Sequence, residues 1–258
     1  MKYQSQLQQG ELEVEFHTVN PLAPTIIFLH DSLGCIKLWK DFPRQLASKA
    51  NCNYLVYDRL GYGASSRNEN LPNRPNNYHE IEADILLQLI KDFQITKPIL
   101  FGHSHGATIA IIAASKEQYL IKAVIAEVAH VFVEDITLKG IETATNGFVT
   151  TNLRDRLIKY HGEKVDVVFW AWANVWLRNS FKNWNIEPLL SSIFCPVLII
   201  QGEKDEYGTH EQVLSIYSEI KGIALKCFVP EVGHTPHKES PDFTLGISSG
   251  FIKPMAIQ

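Results

Sequence analysis

The stretch Ile99-Leu100-Phe101-Gly102-His103-Ser104-His105-Gly106-Ala107 constrains the fold more than any other part of the chain. A short apolar run meets a serine with a glycine two positions to either side, and residues 107–114 beyond it are apolar almost all round. The first pattern suits a buried strand and the second a buried helix. A chain reverses from one to the other within a few residues only where glycines remove the Cβ atoms that would collide. Such a turn holds the Ser104 hydroxyl clear of its surroundings. It also places it at a helix N-terminus, whose unpaired N–H groups favour a developing negative charge. These are the needs of a nucleophile that attacks a carbonyl. A Gly-x-Ser-x-Gly alone recurs by chance; here strand, turn and helix coincide.

The remaining sequence bounds the context. Its 258 residues, 45% hydrophobic and 20% charged, suffice for one well-filled core, and no stretch reads as a linker between domains. A net charge of -4 with scattered basic residues offers no surface for nucleic acid. Met1-Lys2-Tyr3-Gln4-Ser5-Gln6 lacks the apolar core of a signal peptide. No apolar run approaches the ~20 residues that span a bilayer, so a soluble cytoplasmic protein is expected. Cys35, Cys52, Cys195 and Cys227 lie far apart and form no C-x-x-C pair, so they are expected to be free thiols. Ten histidines invite a metal reading, but there is no H-E-x-x-H and no carboxylate at ligand spacing; neither metal nor cofactor is expected.

Strand patterns alternate with helical ones along the chain. Residues 11–19 alternate polar and apolar, which suits a half-exposed edge strand, and 25–30 form a continuous apolar run that ends in His30-Asp31-Ser32-Leu33-Gly34. An amphipathic stretch at 39–47 is followed by a strand at 54–57, and then by Asp58-Arg59-Leu60-Gly61-Tyr62-Gly63-Ala64-Ser65. That loop lacks the third glycine of a dinucleotide fingerprint and reads as a structural turn. Apolar residues at helical spacing over 81–93 lead into the strand before Ser104, and 123–126 read as the strand after its helix. Two more strands, at 196–200 and 225–229, enclose a helix at 212–220. Each strand ends in a polar loop, the arrangement of an open, mostly parallel sheet with its ligand site at the strands' C-terminal ends.

Residues 134–192 break this alternation. They are helical in character, contain no convincing buried strand, and hold Trp170, Trp172, Trp176 and Trp184. Most aromatic stripes are packing, yet an insertion lying over a catalytic sheet must turn some aromatics towards the cleft. Trp39, Trp170, Trp172 and Trp176 are the candidates for a substrate pocket.

A serine on an elbow, then an acid, then a histidine on strands of a parallel sheet is the order of the α/β-hydrolase family, which this chain resembles over nearly its full length. The resemblance implies an α/β-hydrolase fold with core residues 1–133 and 193–258 and a helical cap at 134–192. It places the nucleophile at Ser104, the acid at Asp205 in Gly202-Glu203-Lys204-Asp205-Glu206, and the base at His234 in Gly233-His234. The chemistry explains the residue types: histidine takes and returns the serine proton near neutral pH, and a carboxylate fixes its tautomer. Backbone N–H groups of Ser32 and His105 are assigned to the oxyanion hole. Glu203 and Glu206 rival Asp205, and His237 rivals His234. Asp31 stands where the family more often has glycine; it is expected to turn away from the oxyanion hole and hold its loop by hydrogen bonds.

The expected activity is that of a serine hydrolase cleaving a small-molecule ester or lactone with an apolar portion. Within the same fold, a carbon–carbon bond hydrolase or a perhydrolase is the alternative. Outside it stands a ligand-binding sensor that retains the triad. Related enzymes that open epoxides or remove halides use an aspartate nucleophile, which Ser104 argues against. Dimerisation is left open.

Overall fold

Successive residues of a strand face opposite sides of a sheet, and the apolar runs of this chain fill both sides. The computed structural model describes residues 1–4 and 10–256. Its strands are β1 (Lys2–Gln4), β2 (Glu11–His17), β3 (Thr25–Leu29), β4 (Asn53–Tyr57), β5 (Ile99–His103), β6 (Ala123–Glu127), β7 (Val197–Gly202) and β8 (Ala224–Val229). They form one sheet in the order β1-β2-β4-β3-β5-β6-β7-β8. β1 and β2 pair antiparallel with their neighbours, and the other strands run parallel.

The helices are α1 (Phe42–Ala50), α2 (Tyr78–Asp92), α3 (His105–Lys116), α4 (Asp135–Thr150), α5 (Leu153–His161), α6 (Val165–Leu177), α7 (Glu187–Leu190), α8 (His210–Glu219), α9 (Pro236–Glu239) and α10 (Pro241–Ala256). Ile27, Leu29, Leu100, Val124, Val197 and Ile199 pack with α2, α3 and α8 on one side of the sheet. Their strand neighbours Ile26, Phe28, Ile99, Phe101, Ile125 and Leu198 pack with α1 and α10 on the other. The result is three layers, with β5 at the centre buried along its whole length.

The sequence patterns locate these elements with shifts of a few residues at their ends. The amphipathic stretch at 39–47 begins the helix too early: Pro43 sits in the first turn of α1, and Trp39 belongs to a separate short turn before it. α10 carries no clear periodic signal, because two glycines and Pro254 interrupt its apolar positions; its packing against α1 stabilises it instead. The 58–65 loop is a structural turn. The Asp58 carboxylate accepts from Ile36 N at 2.6 Å and from Ala64 N at 2.7 Å, and a Cβ on Gly63 would lie 2.0 Å from that carboxylate.

The chain leaves the sheet after β6 and returns at β7. Between them lie α4 to α7, with an isolated bridge from Phe132 to Asn185 joining the two ends of the excursion. Among the described residues, no helix is long and apolar enough to cross a membrane. All four cysteines are free thiols.

Candidate active site

Ser104 occupies the reversal between β5 and α3 with φ 52° and ψ −115°, a conformation that non-glycine residues avoid and that costs on the order of 1–3 kcal/mol. The flanking glycines are obligatory. A Cβ on Gly106 would lie 2.0 Å from the Leu29 carbonyl oxygen, and one on Gly102 would lie 2.3 Å from that of Gly106. The strain is held by its surroundings: Ser104 N donates to Glu127 O at 2.9 Å, and its own carbonyl accepts from Ala107 N and Thr108 N in α3.

The loop after β8 carries His234 to this hydroxyl. His234 Nε2 lies 2.9 Å from Ser104 Oγ, and Nδ1 lies 2.7 Å from Asp205 Oδ1 in the loop after β7. A carboxylate only accepts, so Nδ1–H donates to Asp205 and Nε2 turns its lone pair to the serine. Asp205 is fixed in turn, because Tyr207 N donates to Oδ1 at 2.8 Å and Gln201 Nε2 to Oδ2 at 2.6 Å. Burial alone would lower the His234 pKa, but the charge and hydrogen bond of Asp205, then Glu206 and Asp31, leave it raised. Burial works to raise Asp205; the charge and hydrogen bond of His234 with the Tyr207 N–H leave it lowered.

The rivals stand elsewhere. His237 points into the molecule, where its Nδ1–H and backbone N–H donate to Glu127 at 2.6 and 2.7 Å. Glu203 is exposed. Glu206 lines the cavity without bonding to His234.

Ser104 opens into a cavity of about 190 Å³ whose lining includes Ser32, His105 and His234. Leu33, Ile141, Trp172 and Trp176 supply its apolar wall, and Asp31 and Glu206 its carboxylates. Two pocket candidates are corrected. Trp39 lies in the core on the far side of the sheet, 4% exposed, with its ring 5.5 Å from Phe28 and 4.7 Å from His237. Trp170 faces outward at 36% exposure, because its neighbours on α6 one position either side already fill the buried face. His130, Thr137, Ile141 and Tyr207, which no sequence motif marks, also line the cavity. Thr137 and Ile141 lie four apart on one face of α4.

Asp31 holds its loop as expected: Oδ1 accepts from Leu33 N at 2.7 Å, and Oδ2 lies 3.2 Å from His103 Nδ1. It nevertheless borders the cavity as well. Below it, His103, Glu127 and His237 bring potential metal-ligating atoms within 4.8 Å of one another. Those atoms already serve hydrogen bonds inside the protein, with burial pushing the Glu127 carboxyl up to about 7 and holding His237 neutral.

Known proteins resemble this chain in sequence and in fold. The (R)-3-hydroxydecanoyl-ACP:CoA transacylase of Pseudomonas putida is 27% identical over 274 residues, covering 95% of this chain and 90% of that one. The serine hydrolase BPHL of Mus musculus is 29% identical over 235 residues, covering 84% and 75%. Among solved structures, the enol-lactonase from Burkholderia xenovorans LB400 superposes with a TM-score of 0.76 at 15% identity, covering 98% of this chain and 99% of that one. The model of the alpha/beta hydrolase family matches residues 26–246, from β3 through the elbow and the His234 loop into α10. With its sheet order, its serine elbow and that match over most of its length, the chain belongs to the alpha/beta hydrolase family.

Proposed function

We propose that the protein is a serine hydrolase that cleaves a small carboxylic ester or lactone through an acyl-enzyme on Ser104. The observation that carries this reading is the continuous hydrogen-bonded line from Ser104 Oγ through His234 to Asp205. His234 Nε2 takes the hydroxyl proton as Oγ attacks the substrate carbonyl, and Asp205 stabilises the imidazolium that forms. The oxyanion is received by the backbone N–H groups of Ser32 and His105; the latter, as the first residue of α3, has no acceptor within its helix. The imidazolium then protonates the leaving oxygen. Water, activated by His234, releases the acid and restores Ser104. The Ser104, His234 and Asp205 side chains, the two backbone N–H groups and one water supply every group the sequence of steps needs.

We further propose that α4 to α7 act as a cap. They contribute Thr137, Ile141, Trp172 and Trp176 to the cavity wall, which supports an uncharged acyl group of modest size. Among the described residues lining the cavity there is no lysine or arginine, which disfavours a carboxylate on the acyl portion. A second reading follows from the transacylase relative: the same acyl-enzyme could be handed to an acceptor other than water.

The test is fluorophosphonate labelling of the wild type and of Ser104→Ala, with peptide mass spectrometry, followed by turnover on a panel of esters and lactones with and without a thiol acceptor. Labelling confined to the Ser104 peptide and lost in the variant is expected. Well-folded wild type that stays unlabelled would sink the acyl-enzyme reading, and turnover only with the acceptor would favour transfer over hydrolysis.

A further inference from the structure

A second carboxylate–imidazole pair lies beside the first, and the steps above do not use it. His103, 2% exposed, sets Nε2 2.8 Å from the backbone carbonyl oxygen of His234 and Nδ1 3.2 Å from Asp31 Oδ2. A carbonyl oxygen only accepts, so Nε2 carries a hydrogen. A proton also lies between Nδ1 and Oδ2, since two bare lone pairs would repel at that distance. The other oxygen of Asp31 accepts from Leu33 N, in the loop that bears Ser32. One imidazole therefore ties together the nucleophile elbow, the Ser32 loop and the His234 loop. Packing fixes its plane, with the ring of His237 4.7 Å away and edge-on. The titratable groups around it are Asp31 from the loop after β3, Glu127 from β6, His234, and His237 from α9, with the Lys238 charge acting on both Asp31 and His237.

We propose that Asp31 and His103 form a positioning pair that sets the placement of the His234 imidazole by holding its main chain, and that Asp31 stands in place of the family's more usual glycine for this purpose. The proposal rests on the acyl-enzyme reading. Neither residue touches the reacting atoms. The proton shared with His103 also tempers the Asp31 charge, which would otherwise oppose an oxyanion nearby. Asp31 and His103 act as one unit, because His103 without its carboxylate partner loses the hydrogen bond that orients Nε2 towards the carbonyl.

The test measures fluorophosphonate labelling of Ser104 and hydrolysis of p-nitrophenyl acetate across pH in His103→Phe, Asp31→Ala, the double variant and Asp31→Asn. His103→Phe should lower kcat by about 10- to 100-fold with KM changed less than about threefold, the signature of a displaced base rather than lost binding. Asp31→Ala should lower it by about tenfold, and the double variant should be no slower than His103→Phe alone. Asp31→Asn is the rescue. Its Oδ1 still accepts from Leu33 N and its Nδ2–H donates to His103 Nδ1, so kcat should stay within about threefold of wild type. Its acid limb should move to lower pH, since the carboxylate that helps raise His234 is gone.

Full activity in His103→Phe, multiplying effects in the double variant, or Asp31→Asn as slow as Asp31→Ala would each overturn the pair. If His103→Phe does not fold, the comparison of Asp31→Ala with Asp31→Asn decides. Wild type unlabelled at Ser104 overturns the acyl-enzyme reading and this proposal with it; labelled wild type with an unaffected His103→Phe overturns this proposal alone.

Discussion

Trp176 Nε1 lies 2.9 Å from His105 Nε2, joining α6 to the first residue of α3. An indole N–H only donates, so His105 accepts at Nε2 and carries its hydrogen on Nδ1. Burial holds the His105 pKa well below the usual 6.5, which keeps that acceptor available. Tyr78 OH, 3.0 Å from Trp176 Nε1, completes the buried cluster. The helices over the sheet are therefore fastened to the residue whose backbone N–H is proposed to receive the oxyanion.

Trp176→Phe keeps most of the packing and removes this donor. It should destabilise the protein by about 1 kcal/mol, because one buried hydrogen bond is lost while Tyr78 OH, 3.2 Å from His105 Nε2, remains in reach to donate to it. Urea unfolding should show a lower midpoint with an unchanged slope.

Asp205→Ala should lower kcat by about 10⁴-fold, since the His234 tautomer loses its anchor. Glu203→Gln, two residues earlier and exposed, should leave kcat within about twofold. Steady-state kinetics on the same ester checks both, and a large loss in Glu203→Gln would mean that the acid is misassigned.

The tryptophans should separate by location. Trp172→Ala enlarges the cavity and should shift the preferred ester towards longer acyl chains. Trp39→Ala should cost about 3–5 kcal/mol of stability while leaving that preference unchanged, because its ring packs on the opposite side of the sheet. Trp170→Ala should cost less stability than Trp39→Ala, since it loses only edge contacts to Phe148 and Phe169, and should change the preference not at all. Chain-length profiles together with thermal melts make the comparison.

The pH dependence has two parts with opposite signs. His234 must be neutral to accept the serine proton, and its pKa is raised, so activity should climb with pH through a midpoint above 6.5. That raised pKa contributes stability that is fully present below 6.5 and lost as pH rises through the folded value. His30, His79 and His105 behave in the reverse sense. Burial holds each well below 6.5, so under acid the unfolded chain binds protons that the folded chain refuses. Each should remove about 1.4 kcal/mol per pH unit as pH falls below 6.5. Urea unfolding at pH 5 and pH 7.5 should find the protein weaker at the lower value; equal stability would mean that these imidazoles are hydrated and free to charge.

Much of this architecture was written in local pattern. Apolar runs of strand length, the glycines around Ser104 and the polar loops after β3, β7 and β8 each reflect a constraint acting within a few residues. The parallel sheet and the Ser104 elbow therefore followed from the chain alone, whereas Asp205 and His234 were singled out by the resemblance to the alpha/beta hydrolase family. Which side chains share a cavity depended on contacts between distant elements. Helical spacing marks Trp170, Trp172 and Trp176 as aromatic positions of α6, but only the packing of α6 over the sheet decides which of them turn inward. His234 and His237 lie three residues apart with the same chemistry, and they part because Glu127 of β6 draws one into the core while Asp205 holds the other against Ser104. Asp31 looked like a departure from a glycine position until His103 was placed beside it, since a carboxylate's role is set by the partner that shares its proton, and that partner is 72 residues away.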